Sequence, residues 1–198
     1  FKGHFINIRG IHSTRKPEFA GNMLPSNGYE INYELSYENN QFMSGLDFDS
    51  GLLITEFDPN NTFRFTIESK KHWTLNHERK IVASAYSKIG LISNRSVDDF
   101  FHFFGGGLPG IKGYTFYDST LTGKNLFINN FTLRVPVLLE ENYKLIHLNL
   151  QNISIGTILQ IGGGFNHKFQ DWVKNQDYKI SSGFEFRMTG YSFYIYPM

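Results

Sequence analysis

The stretch Gly28–Glu38 (GYEINYELSYE) alternates aromatic or aliphatic residues with polar ones along its whole length. Because successive side chains of a strand point to opposite faces, this pattern predicts a strand with one apolar and one polar face. The apolar face would carry Tyr29, Ile31, Tyr33, Leu35 and Tyr37, and the polar face Glu30, Asn32, Glu34, Ser36 and Glu38. A strand of about 9–11 residues is also long enough to cross a bilayer at a tilt.

Similar alternation recurs throughout the chain and predicts an all-β fold of seven or eight antiparallel strands in up-and-down order. No helix is expected. Short links are expected at 76–78 and 189–190, and long connections at 39–61 and 93–124. Short turns at one end and long loops at the other are typical of transmembrane β-barrels. The further predicted strands cover 1–12, 62–73, 80–91, 125–138, 145–161 (bent near Gln151–Asn152), 178–188 and 191–198, with a strand extension at 52–57.

The composition sets limits on the class of protein. The 19 Lys and Arg residues nearly balance the 18 Asp and Glu residues, which gives no support to a nucleic-acid-binding face. The chain has no cysteine, and no apolar run of about 18 residues that could form a transmembrane helix. Aromatic residues make up 17% of the chain, a proportion that suits a soluble β-sandwich and a membrane barrel equally well.

A second stretch, Phe103–Tyr114 (FFGGGLPGIKGY), fits neither a strand nor a helix. Its glycines permit backbone angles and close approaches that a Cβ atom would forbid, and Pro109 stiffens one point of the segment. The pattern predicts a loop that is folded on itself and packed against another part of the chain. Lys112 is its one charged residue, and a solvated surface lysine is the simpler interpretation of it.

Motifs for catalysis or metal binding are missing from the sequence. There is no Gly-x-Ser-x-Gly elbow for a nucleophile and no Gly-Lys-Ser/Thr phosphate loop. His72, His77, His102, His147 and His167 lie at no ligand spacing, and the pair Asp98–Asp99 is typical of a solvated loop. We therefore expect no enzyme activity, no metal site and no cofactor.

The glycine-rich stretch resembles a motif of the BamA-type surface-antigen superfamily, whose members are sixteen-stranded outer-membrane barrels. In that family a long extracellular loop carries a glycine pair and then a hydrophobic-Arg-Gly-aromatic tetrad. The pair Gly105–Gly106 and the tetrad Ile111, Lys112, Gly113 and Tyr114 take those places here. The flanking segments 24–29, 130–136, 156–164 and 180–187 resemble the family's strands in the same order. Segments 114–117 and 191–197 are most similar to a subgroup in which the barrel follows a TolB-like propeller.

This resemblance implies that residues 1–198 form one partial domain, the C-terminal half of a transmembrane β-barrel from a longer protein. Loop 93–124 would be extracellular and would fold into the barrel lumen. The implied location is the outer membrane, and the implied role is protein insertion or translocation there. The implied partners are outer-membrane lipid, client outer-membrane proteins and accessory lipoproteins, with no nucleic acid.

Two positions depart from the family pattern. Lys112 stands in place of the tetrad's Arg, and Gln160, two residues before Gly162, stands in place of an Asp of the barrel wall. A lysine lacks the bidentate fork of arginine, so we expect single hydrogen bonds to hold the loop. Gln160, Gly162 and Glu185 are the candidate wall residues that anchor it.

Two other functions stay open at this point. The barrel could serve as a membrane anchor or a passive channel for an upstream domain such as a propeller. Alternatively, the apolar faces could form the core of a soluble β-sandwich that acts as a binding module.

Overall fold

Period-two alternation produces a nine-stranded antiparallel sheet in the computed structural model, which describes residues 2–14, 27–46, 53–93, 101–139, 143–192 and 196–197. Two short strands, β5 and β6, pair with each other inside the long loop. The strands are β1 Lys2–Ser13, β2 Gly28–Leu46, β3 Leu53–Asn76, β4 Ile81–Ile92, β5 Phe103–Phe104, β6 Thr122–Gly123, β7 Asn125–Leu138, β8 Tyr143–Leu145, β9 Leu148–Phe165, β10 Lys179–Ser192 and β11 Tyr196–Pro197.

The strand order in the large sheet is β1-β2-β3-β4-β7-β9-β10-β11, and β8 pairs with β9. Strands that follow one another along the chain are therefore neighbours, which confirms the all-β, up-and-down prediction. The partial barrel that the resemblance implies is not shown, because the sheet does not close on itself in the described residues. Within the described residues the sheet is open, with β1 at one side and β11 at the other.

Several predicted boundaries were wrong. Residues 39–46 and 58–61, expected to belong to a long connection, are paired strand residues of β2 and β3, whereas the strand extension expected at 52–57 is present from Leu53. No turn occurs at Thr189–Gly190, because β10 runs on to Ser192. The chain also contains a short helix, α1 (Phe169–Lys174), and a 3-10 turn (Ser119–Leu121), where no helix was expected. The predicted bend is present as a bulge, since the β9–β10 register skips Gln151.

The register assigns every strand residue to one of two faces. Ser36, Arg64 and Ile92 are aligned across β2, β3 and β4, as are their neighbours Leu35, Phe65 and Leu91. We call the face that contains Arg64 the polar face and the face that contains Phe65 the apolar face. The sheet end with the β3–β4 turn at residues 77–80 is the turn end, and the opposite end, which carries segment 101–124, is the loop end.

The apolar face is largely uncovered. Phe184 is 87% exposed and Phe186 66% exposed, and Phe63, Phe131 and Leu159 are also exposed. The described part of the chain covers this face only at the loop end, where α1 places Trp172 against Phe165 with ring centroids 4.8 Å apart. The buried cluster lies instead on the polar face, under the loop. It consists of Ile92, Phe103, Ile111, Leu121, Leu126 and Ile128.

Candidate functional site

The glycine-rich loop is tightly folded on itself, as its composition predicts. Backbone N–H groups donate from Gly105 to the Leu121 carbonyl (2.9 Å), from Ile111 to the Gly105 carbonyl (2.7 Å) and from Gly107 to the Tyr114 carbonyl (3.0 Å). A Cβ atom on Gly110 would collide with the carbonyl oxygen of Gly105. Glycine is therefore required at that position by close backbone approach.

The loop docks on the polar face through apolar side chains. Ile111 and Leu121 have no exposed surface and pack with Leu126 and Ile128 of β7. The backbone of the loop also approaches β9 closely, because a Cβ atom on Gly164 would lie 2.5 Å from the Gly123 nitrogen. Burial of these apolar groups stabilises the loop on the sheet.

Gln160 connects the sheet to the loop with both ends of its amide. Its Oε1 accepts a hydrogen bond from the Lys112 backbone N–H (2.9 Å), and its Nε2 donates to the Gly110 carbonyl (3.1 Å). The Gln160 side chain is only 2% exposed, so water has little access to compete for either hydrogen bond. An aspartate or a glutamate in its ionised form could accept the first bond but could not donate the second.

Lys112 contributes its backbone rather than its charge. Its side chain is exposed, and within the described residues no carboxylate or other acceptor bonds to its ammonium group. Gly113 has a φ of +90°, which favours glycine, and the Tyr114 hydroxyl lies 3.5 Å from the Ile180 carbonyl of β10. Within the tetrad, Ile111 is therefore buried in the core, while Gly113 and Tyr114 lie beside β10.

Of the other two candidate wall residues, neither holds the loop. Gly162 lies against the backbone of Phe127 and Ile128 within the sheet, and the loop approaches its neighbours Gly163 and Gly164 instead. The carboxylate of Glu185 bonds to two arginines, with Oε1 at 2.6 Å from Arg134 Nε and at 2.8 Å from Arg187 Nε. The expected contact between Glu185 and Lys112 is not formed, because both arginines occupy that carboxylate.

The Arg134–Glu185 pair spans three strands. Arg134, Gly156 and Glu185 are aligned in register on β7, β9 and β10. A Cβ atom on Gly156 would lie 3.2 Å from Arg134 Cγ, so the arginine side chain crosses β9 where a side chain is missing. Alternation places all three residues on the polar face. The sequence did not reveal that Arg134 is the partner of Glu185, because the strand register was unknown.

A cavity of about 410 Å³ separates the loop from β2 and β3. Glu34, Glu38 and Glu68 line its sheet side, together with Lys88, which pairs with Glu68 at 2.8 Å. On its loop side, the Arg64 guanidinium lies 4.1 Å from the centre of the Phe103 ring. The polar face is therefore charged and solvated beside the loop, and apolar directly beneath it.

The remaining candidates do not assemble into a reactive centre. Asp98–Asp99 lies outside the described residues, and so does the first half of the segment 24–29. His72 Nδ1 and Ser84 Oγ are 2.8 Å apart on the polar face. In the residues that the structure describes, no three histidines or acids come together as metal ligands would. No helix there is long and apolar enough to span a membrane.

Comparison with known proteins finds no match to this chain among protein-family models, curated proteins or solved structures.

Proposed function

We propose that this chain forms part of the wall of a transmembrane β-barrel, with its apolar face against lipid and its polar face lining the interior. The observation that carries the proposal is the inverted burial of the sheet. The glycine loop covers the polar face, while large apolar side chains on the other face stay exposed. A soluble sandwich would cover the apolar face with a second layer.

The dimensions of the apolar face support the same proposal. On β3 the aromatic residues Trp73 and Phe63 on this face are ten residue steps apart. At about 3.3 Å per residue and a tilt of about 40°, this span covers roughly 25 Å, which is the height of the apolar band of outer-membrane barrels. The polar pair Ser87 and Asn129, in the middle of the face, form a hydrogen bond with each other. Such pairing is needed where no water is present.

The more specific role proposed is protein insertion or translocation at an outer membrane. It rests on the resemblance to the BamA-type superfamily. The mechanism proposed is pairing of a client strand at the barrel seam, because an unpaired strand edge offers backbone N–H and C=O groups to the client. The partners proposed with this role are client outer-membrane proteins and accessory lipoproteins. No catalytic chemistry is required.

The experiment refolds the chain, alone and with its native flanking sequence, into phospholipid vesicles. A membrane barrel gives a band whose mobility on a gel depends on heating, and it resists protease. If the chain stays in the aqueous phase and unheated and heated samples run alike, membrane insertion is wrong. For the insertion role, the folding rate of an unfolded outer-membrane protein is then compared in vesicles with and without the chain. Equal rates contradict that role alone.

A second candidate, a passive channel or anchor, is favoured by the charged cavity beside the loop. Its volume of about 410 Å³ and its lining of glutamates and lysine would suit water and small ions. Conductance in a planar bilayer separates the two roles. A steady conductance without any effect on client folding favours the channel, whereas faster client folding with little conductance favours insertion.

A further inference from the structure

Among the side chains that the structure describes on β2, β3, β4, β7, β9 and β10, Lys71 is the one Lys, Arg, Asp or Glu on the apolar face. It lies near the turn end of β3, between Ser69 and Trp73 on the same face. An ionisable group among lipid-facing side chains is costly unless it reaches the interface or a partner, so its position calls for a function.

The surroundings of Lys71 form a polar and aromatic row across three strands. Lys71 and Tyr29 face each other in register, and the ammonium lies 5.6 Å from the centre of the Tyr29 ring. The Tyr29 hydroxyl is 2.9 Å from His12 Nε2 on β1. Trp73 follows Lys71 on the same face. We call His12, Tyr29, Lys71 and Trp73 the turn-end row.

Resting on the proposed membrane function, we propose that the turn-end row binds the phosphate layer of a phospholipid leaflet. The Lys71 ammonium contacts a lipid phosphate, and the row fixes the depth of the sheet in the bilayer. Tyrosine and tryptophan favour the headgroup level because their rings are apolar at one end and polar at the other. The long lysine side chain reaches outward to the same level, so its charge avoids the hydrocarbon.

The loop end of the same face differs in charge. Its aromatic residues Phe127, Phe165, Phe169, Trp172 and Tyr178 cluster around α1. The charged side chains of α1 are one acid, Asp171, and one base, Lys174, so they cancel. Among the described side chains of β2, β3, β4, β7, β9 and β10, the cation on the apolar face itself lies at the turn end, and we expect this end to prefer anionic lipid.

The first test uses the two tryptophans of the chain as depth markers. Trp172→Phe leaves Trp73 as the one reporter in the turn-end row. The chain is refolded into vesicles whose acyl chains carry bromine either near the headgroup or near the bilayer centre. We expect the shallow bromines to quench Trp73 most strongly. Stronger quenching by the deep bromines would overturn the assignment of this row to the headgroup level.

The second test compares Lys71→Gln with Lys70→Gln, adjacent residues on opposite faces. Lys70 is paired with Glu30 on the polar face, at 3.4 Å. Each variant is titrated with vesicles of phosphatidylcholine, alone or mixed with phosphatidylglycerol. We expect Lys71→Gln to weaken the advantage of the anionic vesicles about fivefold. Lys70→Gln should leave that advantage unchanged. Equal effects of the two variants, or no effect of either, contradict the proposal.

The outcomes separate this inference from the membrane function. No quenching by any brominated lipid contradicts membrane insertion itself. Insertion that is insensitive to Lys71→Gln contradicts the lipid-phosphate contact alone. If inorganic phosphate in solution abolishes the advantage of anionic vesicles at constant ionic strength, the row binds a soluble anion and the lipid assignment is wrong.

Discussion

The two faces of this sheet share the same strands and the same register, yet they are buried in opposite ways. On the polar face, Gln160 and Ser154 are buried along with an apolar cluster under the loop. On the apolar face, phenylalanines and isoleucines are exposed along most of the sheet. The comparison teaches that the sequence assigns polarity to each face, but that the surrounding medium decides which face needs a covering layer.

The largest effect is expected from a charge in the middle of the apolar face. Phe131 lies halfway along β7 and is 51% exposed. If this face contacts lipid, Phe131→Arg should destabilise the folded barrel by about 2–4 kcal/mol, because a guanidinium near the bilayer centre loses its hydration. Urea unfolding of the protein in vesicles measures this change.

The control for that substitution is Phe131→Leu, which keeps the position apolar and should change stability little. An exposed position of a water-soluble sheet tolerates arginine within about 0.5 kcal/mol. If Phe131→Arg is as stable as Phe131→Leu, the apolar face does not contact lipid and this part of the proposal is wrong.

A smaller effect is expected from closing the space at a glycine of the loop. Gly110→Val would push a side chain against the Gly105 carbonyl, and overpacking of this kind costs up to about 3 kcal/mol. Gly183→Val on β10 is the matched control, because an added Cβ there has no atom within 4 Å. We expect faster proteolysis of segment 101–124 in the first variant only. Equal protection in both variants would show that the loop has room to relax.

The contact between Gln160 and the loop should be worth less. Gln160→Leu leaves the Lys112 N–H and the Gly110 carbonyl without their partner, at a cost of about 2 kcal/mol. Lys112→Ala keeps the backbone bond and should cost no more than about 0.5 kcal/mol. Hydrogen exchange of the backbone amide at position 112 reports on this bond, and it is measured in the native chain and in both variants. A larger loss of protection in the alanine variant than in Gln160→Leu would mean that the ammonium group holds the loop.

The smallest effect concerns pH and the 3-10 turn of the loop. Hydrogen bonds from the Thr120 hydroxyl and backbone N–H lower the pKa of Asp118 below its usual range. A lowered pKa in the folded state means that the carboxylate supports the turn above the unfolded pKa. This support is lost as the pH falls through the folded pKa, below about pH 4. The protection factor of the Thr120 amide, which is the exchange rate of an unstructured peptide divided by that of this amide at the same pH, should fall over that range in the native chain and stay level in Asp118→Asn.

Local alternation was enough to predict most of the sheet. The segments 28–38 and 125–138 have an unambiguous period of two, and both form strands that include those residues. The strand residues 39–46 and 58–61 were missed because Asn39, Asn40, Asn60 and Asn61 indicate a turn by local propensity. Pairing between the two strands overrides that propensity, and a single strand's pattern contains no information about its partner.

The same limit explains the outcome for the candidate site. The glycines and Ile111 mark a compact loop in sequence alone, but the contacts of Gln160 and Glu185 depend on which residues are aligned across strands. Glu185 lies beside Gly156, which opens the way for Arg134. A sequence pattern shows that these residues share a face, and only the register shows which of them meet.

The amide of Gln160 has a direction, and this direction limits how the loop can dock. It donates to the carbonyl of Gly110 and accepts from the N–H of Lys112, two groups that flank the buried Ile111. A loop displaced by one residue would bring Ile111 opposite the amide and expose its side chain. The hydrogen bonds of Gln160 and the burial of Ile111 therefore favour the same alignment of the loop on the sheet. A misaligned loop loses its hydrogen bonds and its hydrophobic contact together.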